Sequence, residues 1–210
     1  MWDKRFWPLI SIGSVLGVLC LSDYLLVSDE LFLNEFSKSF TSEQLREMLG
    51  QRDNLKWLGY LILPLYYLLK FLLVTCCLSI SVFFITDKFE FKRMVYITGK
   101  SELVFLVSAI IKLLWFFLIQ TSYTLRDLQY FYPLSVLSMF NPNSLEPWLI
   151  YPFQVMNLFE VIYWVVLAHL LSKEIPELDM NRSMAAVMSG YGTGLVIWIA
   201  LVMFLTITYT

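Results

Sequence analysis

Long apolar stretches separated by polar connections dominate the chain. A helix needs about 20 apolar residues to cross roughly 30 Å of hydrocarbon, and five segments are of about this length. The pattern predicts an all-α polytopic membrane protein, a bundle of five transmembrane helices forming one domain over residues 1–210. The predicted spans are residues 7–27, 57–86, 102–120, 150–172 and 184–208.

The composition supports a bilayer as the surroundings of this chain. Hydrophobic residues make up 59% of it and charged residues 15%, against about 25% charged in ordinary soluble domains. A water-soluble protein of this size could not bury so much apolar surface. The net charge of -2 carries no information about nucleic acid, but no basic block is present, so no nucleic-acid partner is expected. The first span is expected to remain as an anchor, because no cleavage pattern follows it.

The basic residues of the connections indicate an orientation, because Lys and Arg accumulate in cytoplasmic loops. One side would carry Lys4, Arg5, Lys88, Lys92, Arg93, Lys100, Lys173 and Arg182. The other side would carry Lys38, Arg46, Arg52, Lys56 and Arg126, spread over longer loops. This asymmetry predicts a cytoplasmic N-terminus and an external C-terminus. The compact layout favours a bacterial inner membrane.

One outer connection contains a helix signal of its own. Thr41 and Gln44 have the spacing of a capping box, and Leu45, Met48 and Leu49 follow on one helical face. The pattern predicts a short amphipathic outer helix that lies on the membrane surface.

Ionisable residues inside the predicted spans are the most informative positions. Lys70, Lys112 and Glu160 lie near the middle of the second, third and fourth spans. Each isolated charge would cost roughly 2.5–3.5 kcal/mol at the bilayer centre. We therefore expect an intramembrane polar cluster in which Glu160 pairs with one or both lysines. Asn157 shares a face with Glu160 and is expected to donate a hydrogen bond to it.

Two interpretations of this cluster remain open. In the first, a buried ion pair sets the register of the helices. In the second, the titratable groups form a proton or substrate relay in a polar cavity.

The fifth span contains small residues at every fourth position, namely Ala186, Gly190 and Gly194. They form a helix-packing ridge that allows another helix to approach closely. Packing within the bundle and contact with a second subunit are both compatible with the ridge.

The sequence contains no recognisable enzyme constellation. His169 is the only histidine, so a haem held by two histidines is excluded. Glu160 and His169 are nine residues apart on one helix, about 13 Å along its axis, and face opposite ways. Cys20, Cys76 and Cys77 have no zinc or redox spacing. We expect no catalytic residue, no cofactor and no metal site.

Two stretches carry a family resemblance. One is Phe89-Glu90-Phe91-Lys92-Arg93 with Tyr96 and Lys100, and the other is Asn157-Leu158-Phe159-Glu160-Val161-Ile162-Tyr163-Trp164. With the five-span, N-inside layout they resemble the Yip-domain family of membrane proteins, in its compact bacterial form. Eukaryotic members act in membrane traffic and bind prenylated Rab GTPases, but their Asp-Leu-Tyr-Gly-Pro stretch is absent here. The resemblance therefore implies a fold and a membrane location rather than Rab binding.

Short loops, the glycine ridge and the lack of a catalytic constellation favour a non-enzymatic integral membrane protein. The leading hypothesis is a subunit or scaffold of a membrane protein complex, with other membrane subunits as partners and a possible association with transport. The alternative is a small transporter or channel-like subunit that uses the Lys/Glu cluster. An intramembrane enzyme with an unrecognised site is a third, weaker hypothesis.

Overall fold

The computed structural model describes residues 6–37 and 40–209, without the side chains of Ser42 and Asn143. Lys4, Arg5 and Lys38, which entered the orientation argument, lie outside the described residues. The described part is 84% helical and contains no strand. Four of its helices are long and apolar enough to cross a membrane: Trp7–Leu26, Glu43–Thr86, Phe91–Ile119 and Met180–Tyr209. The chain is thus an all-helical, multi-pass membrane protein.

The second predicted span is part of a much longer helix than its apolar pattern indicates. Helix α1 covers Trp7–Leu26, α2 covers Asp29–Phe36, and α3 runs without a break from Ser42 to Thr86. At 1.5 Å per residue, its 45 residues extend for about 67 Å. The capping box of Thr41 and Gln44 begins this helix as expected.

The structure corrects the expectation of a separate amphipathic outer helix after Thr41. No helix breaker separates this segment from Trp57, and Gly50 is tolerated, so the helix that begins at Ser42 continues into the span. The short helix beside the span is instead α2, whose Asp29 forms an ion pair with Arg52 of α3. The guanidinium of Arg52 also lies 5.1 Å from the centre of the Phe32 ring.

The third span begins earlier than predicted. Helix α4 occupies Phe91–Ser101, α5 follows at Leu103–Leu114, and a π-helical turn at Trp115–Ile119 completes one nearly continuous helix. Most of the expected 87–101 loop is therefore helical. Its apolar face is buried through Met94, Ile97 and Gly99, which explains why a charged segment folds as helix.

The fourth predicted span, residues 150–172, is broken. Helix α6 (Leu125–Tyr130) and two 3-10 turns lead to α7 (Pro147–Val155), and α8 (Leu158–Glu174) begins only three residues later. Neither α7 nor α8 is among the four long apolar helices, so the five-span count is not confirmed. The break exposes backbone groups, and the preceding loop pairs with them. Val136 donates to the Met156 carbonyl at 2.9 Å, and Leu158 donates to the Leu134 carbonyl at 3.1 Å.

The last long helix has three parts: α9 (Met180–Val187), a π-helical turn at Met188–Gly192, and α10 (Thr193–Tyr209). Side chains of α3, α4, α8 and α9, together with Tyr191 of this turn, form the main hydrophobic core. Its fully buried members include Leu78, Met94, Ile97, Leu167, Leu171, Ala186 and Val187.

The loops at this end of the core are joined by an ion pair between Lys88 and Glu177. The hydrogen bond between the two side chains raises the pKa of Lys88 and lowers the pKa of Glu177. The N-terminal half of α3 differs from this packed end, because apolar side chains such as Leu61 and Leu65 are more than 60% exposed. This exposure is expected of a helix surface that faces lipid.

Candidate functional site

A buried ion pair joins the second and third long helices. The Lys70 ammonium of α3 lies 3.2 Å from Oε2 of Glu102, the residue between α4 and α5. Only 1% of the Glu102 side chain is exposed, whereas Lys70 is 28% exposed. The ammonium also lies 4.0 Å from the centre of the Phe105 ring, where a cation is attracted by the electrons of the ring face.

A third helix completes the surroundings of Glu102. The hydroxyl of Tyr163, on α8, donates a hydrogen bond to Oε1 of Glu102 at 3.1 Å. Tyr163 is fully buried. Each carboxylate oxygen therefore has its own partner, one charged and one neutral. A buried carboxylate needs such partners, because removing it from water is strongly unfavourable.

A second carboxylate, Glu160, is held at the beginning of α8. Its Oε1 accepts hydrogen bonds from the Tyr191 hydroxyl at 2.6 Å and from Nε1 of Trp164 at 2.9 Å. Asn157 is the N-cap of α8, and its Oδ1 accepts the backbone N–H of Glu160 at 2.8 Å. Glu160 thus lies in the first turn, where the helix dipole favours a negative charge.

Aromatic rings connect the two carboxylates. The rings of Tyr163 and Tyr191 meet edge to face with 5.4 Å between their centres, and those of Trp164 and Tyr191 do so at 5.9 Å. Lys70 and Glu102 are both close enough to act electrostatically on Glu160. We call the set of Lys70, Glu102, Glu160, Tyr163 and Tyr191 the acid cluster.

The register of the helices brings three members of the acid cluster, Glu102, Tyr163 and Tyr191, to one level. Glu102 lies eleven residues after the start of α4, Tyr163 lies eleven residues before the end of α8, and Tyr191 lies eleven residues after the start of α9. Each is thus about 17 Å from the end of the bundle where Lys88 and Glu177 meet. The π-helical turn contains Tyr191, and such turns often mark functional positions.

The structure corrects the expected pairing of Glu160. Within the described residues, Glu160 forms no ion pair with Lys70 or Lys112, because Lys70 is engaged by Glu102. Lys112 lies apart from the cluster: its ammonium donates to the Leu128 carbonyl at 2.7 Å and lies 5.0 Å from the centre of the Tyr132 ring.

Asn157 also has a different role from the expected one. Its amide group donates to the carbonyls of Gln154 and Val155 rather than to the Glu160 carboxylate, at 2.9 and 3.1 Å. The residue therefore ends the break between α7 and α8 by capping the helix at its N-terminus.

The packing ridge lies against α3. Ala186 is fully buried, and its carbonyl accepts a hydrogen bond from the Ser81 hydroxyl at 2.7 Å. A Cβ atom added at Gly190 would lie 2.7 Å from the Cys77 carbonyl oxygen, and one at Gly194 would lie 2.9 Å from the Cys77 sulfur. The structure therefore places the ridge in contact with a helix of the same chain.

Sequence reasoning missed three members of the acid cluster: Glu102, Tyr163 and Tyr191. Glu102 was assigned to the edge of the third span, immediately after the charged segment that ends at Lys100, so it did not count as an intramembrane charge. The two tyrosines gave no periodic or charge signal. The Asn157–Glu160 spacing, which is that of an N-cap and its third helical residue, was a usable signal for the start of α8 but not for these three residues.

An open cavity lies elsewhere, beside the end of the third long helix. It has a volume of about 650 Å³ and is lined mainly by apolar and aromatic side chains, among them Trp115, Phe131, Tyr132 and Phe140. The ring of Tyr132, which lines this cavity, lies 5.0 Å from the Lys112 ammonium.

No family model, curated protein or solved structure matches this chain.

Proposed function

We propose that this chain is a non-enzymatic integral membrane subunit, a scaffold for other membrane proteins. The observation that carries the proposal is that Lys70, Glu102 and Tyr163 bind one another within the chain. One ion pair and one hydrogen bond tie α3, the α4–α5 helix and α8 together at one level. A pair of this kind sets the register of helices, as a scaffold requires.

The proposal includes a fifth crossing, made by α7 and α8 together. These helices contain 9 and 17 residues, so end to end they extend for about 39 Å, which exceeds the hydrocarbon thickness. Irregular backbone is tolerated at membrane depth where protein covers it. The pairing of Leu134 and Val136 with the break provides such cover.

With five crossings, the N-terminus is cytoplasmic and the C-terminus is external. The basic residues Lys88, Lys92, Arg93, Lys173 and Arg182 then lie on the cytoplasmic side, in agreement with the positive-inside rule. The compact Yip-like layout favours a bacterial inner membrane as the location.

This topology predicts the accessibility of single cysteines in a variant without the native thiols. A cysteine at Lys92 should react with a membrane-impermeant maleimide only after the cells are opened, whereas one added after Thr210 should react in intact cells. Lys92 is exposed, so a lack of labelling in opened cells would not be caused by burial. Labelling of both positions from outside would contradict the five-crossing topology.

The scaffold function is tested by removing both charges of the pair. We expect a Lys70→Met/Glu102→Gln double variant to fold and to complement a deletion strain as well as the parent protein, because a register device needs only a matched pair. In proteoliposomes, the parent protein should dissipate an imposed pH or potassium gradient no faster than empty vesicles do. A gradient loss that requires Glu102 or Glu160 would overturn the proposal.

A small transporter is the second candidate, and the broken span favours it. Transporters often bind substrates where a discontinuous helix places its N-terminus near the middle of the bundle. Here α8 begins at such a break, with Glu160 in its first turn. If this candidate is correct, the double variant above should fold without complementing, and the flux in proteoliposomes should depend on Glu160.

A further inference from the structure

Glu160 is the carboxylate of the acid cluster that has no ion-pair partner. Both of its side-chain hydrogen bonds, from Tyr191 and Trp164, end on Oε1. Among the described residues, no hydrogen bond or ion pair reaches Oε2. Glu102 differs, because its two oxygens are used separately by Tyr163 and Lys70.

The charges around Glu160 do not balance when both acids are ionised. Lys70 approaches from α3, Glu102 from the α4–α5 junction, and Tyr191 from the turn before α10. These groups offer one ammonium to two carboxylates. A net negative charge at a partly buried site is unfavourable, and the carboxylate that can lose its charge by binding a proton is the one without a cation.

The geometry around Glu160 suits both the charged and the neutral state. When it is charged, the carboxylate is stabilised by two neutral donors and by the N-terminal dipole of α8, which corresponds to roughly half an elementary charge. When it is neutral, a proton can reside on Oε2 while Oε1 continues to accept from Tyr191 and Trp164. Neither change requires a hydrogen bond of the cluster to break.

We propose that Glu160, which is partly buried in the first turn of α8, is a proton-binding site. Oε2 takes a proton from solvent and returns it to solvent, and no other reactant takes part. This inference does not depend on the scaffold function, because a register device works with Glu160 in either state. It also assigns different roles to the two carboxylates: Glu160 binds a proton, whereas Glu102 keeps a negative charge that is matched by Lys70.

The test is infrared difference spectroscopy of the full-length protein in lipid nanodiscs while the pH of the surrounding buffer is changed. Protonation of a carboxylate produces a C=O stretching band. We expect such a band to be reversible with pH in the parent protein and to be lost in Glu160→Gln, whose amide oxygen can still accept from Tyr191 and Trp164. The matched control is Glu177→Gln, which removes an exposed acid of a loop and should retain the band.

A second variant connects the band to the contact seen in the structure. In Tyr191→Phe the carboxyl loses one hydrogen bond, so the band should move to higher frequency while keeping its intensity. This variant keeps all charges, which provides a test even if Glu160→Gln fails to fold. A band that persists unchanged in Glu160→Gln would overturn the proposal, as would a band whose frequency in Tyr191→Phe equals that of the parent protein. So would a band that disappears when sodium replaces choline at constant ionic strength, since it would indicate a metal cation site.

Discussion

Replacing Lys70 with methionine is expected to destabilise the protein by about 3–5 kcal/mol, the usual range for stranding one member of a buried ion pair. The change leaves the Glu102 carboxylate, which is 1% exposed, with the Tyr163 hydroxyl as its remaining side-chain partner. The measurement is the thermal unfolding of purified variants in one detergent. The double variant Lys70→Met/Glu102→Gln should regain most of the loss, because the charge that lacked a partner is also removed.

The two single variants should differ in severity. Lys70 is 28% exposed and lies against the Phe105 ring, so its ammonium retains some stabilisation when Glu102 is neutral. Glu102→Gln should therefore be milder than Lys70→Met. Combining Lys70→Met with Glu160→Gln is the control, and it should rescue less, because Glu160 is bound by Tyr191 and Trp164 rather than by Lys70. Rescue by Glu160→Gln and not by Glu102→Gln would show that the assigned pair is incorrect.

The sequence predicted that Lys70 would need a carboxylate partner, and the structure supplies a different one from the expected Glu160. The wrong partner was predicted because Glu102 was placed at the end of its span, too close to the membrane surface. Apolar periodicity locates the centre of a span well, whereas its ends are uncertain by several residues. Glu102 lies at such an end, although α4 extends the helix by eleven residues and buries it. The apolar face of α4 indicates a helix, but only the packing of α4 against neighbouring helices shows that Glu102 is buried.

The broken fourth span could have been predicted in part. Apolar residues continue through Met156, so hydropathy alone predicts one helix. The Asn157–Glu160 spacing indicates a new helix N-terminus, and Pro152 in the preceding turn weakens the continuous helix. The backbone pairing of Leu134 and Val136 with the break lies beyond local sequence reasoning, because it joins segments about 20 residues apart through a loop without regular structure.

The ridge was predicted with two alternatives, and the geometry now allows a sharper prediction. Gly190 lies where the turn before α10 meets α3. An added Cβ would be 2.6 Å from the Ser81 Cβ and 2.7 Å from the Cys77 carbonyl oxygen. The second contact is with backbone, so a rotamer change cannot relieve it. Overpacking of this kind typically costs about 1–3 kcal/mol.

We therefore expect Gly190→Ala to lower the unfolding temperature and Gly190→Leu to lower it further, with reduced yield. Gly59 is the matched control, since it lies in α3 with nothing within 4 Å of its added Cβ. Alanine is favoured over glycine in a helix by roughly 0.5–1 kcal/mol, so Gly59→Ala should leave the unfolding temperature unchanged or raise it slightly. The opposite signs of two identical substitutions separate steric contact from helix propensity. If Gly190→Ala and Gly59→Ala have the same effect, α3 and the ridge are not in contact, and the ridge surface is available to lipid or to a second subunit.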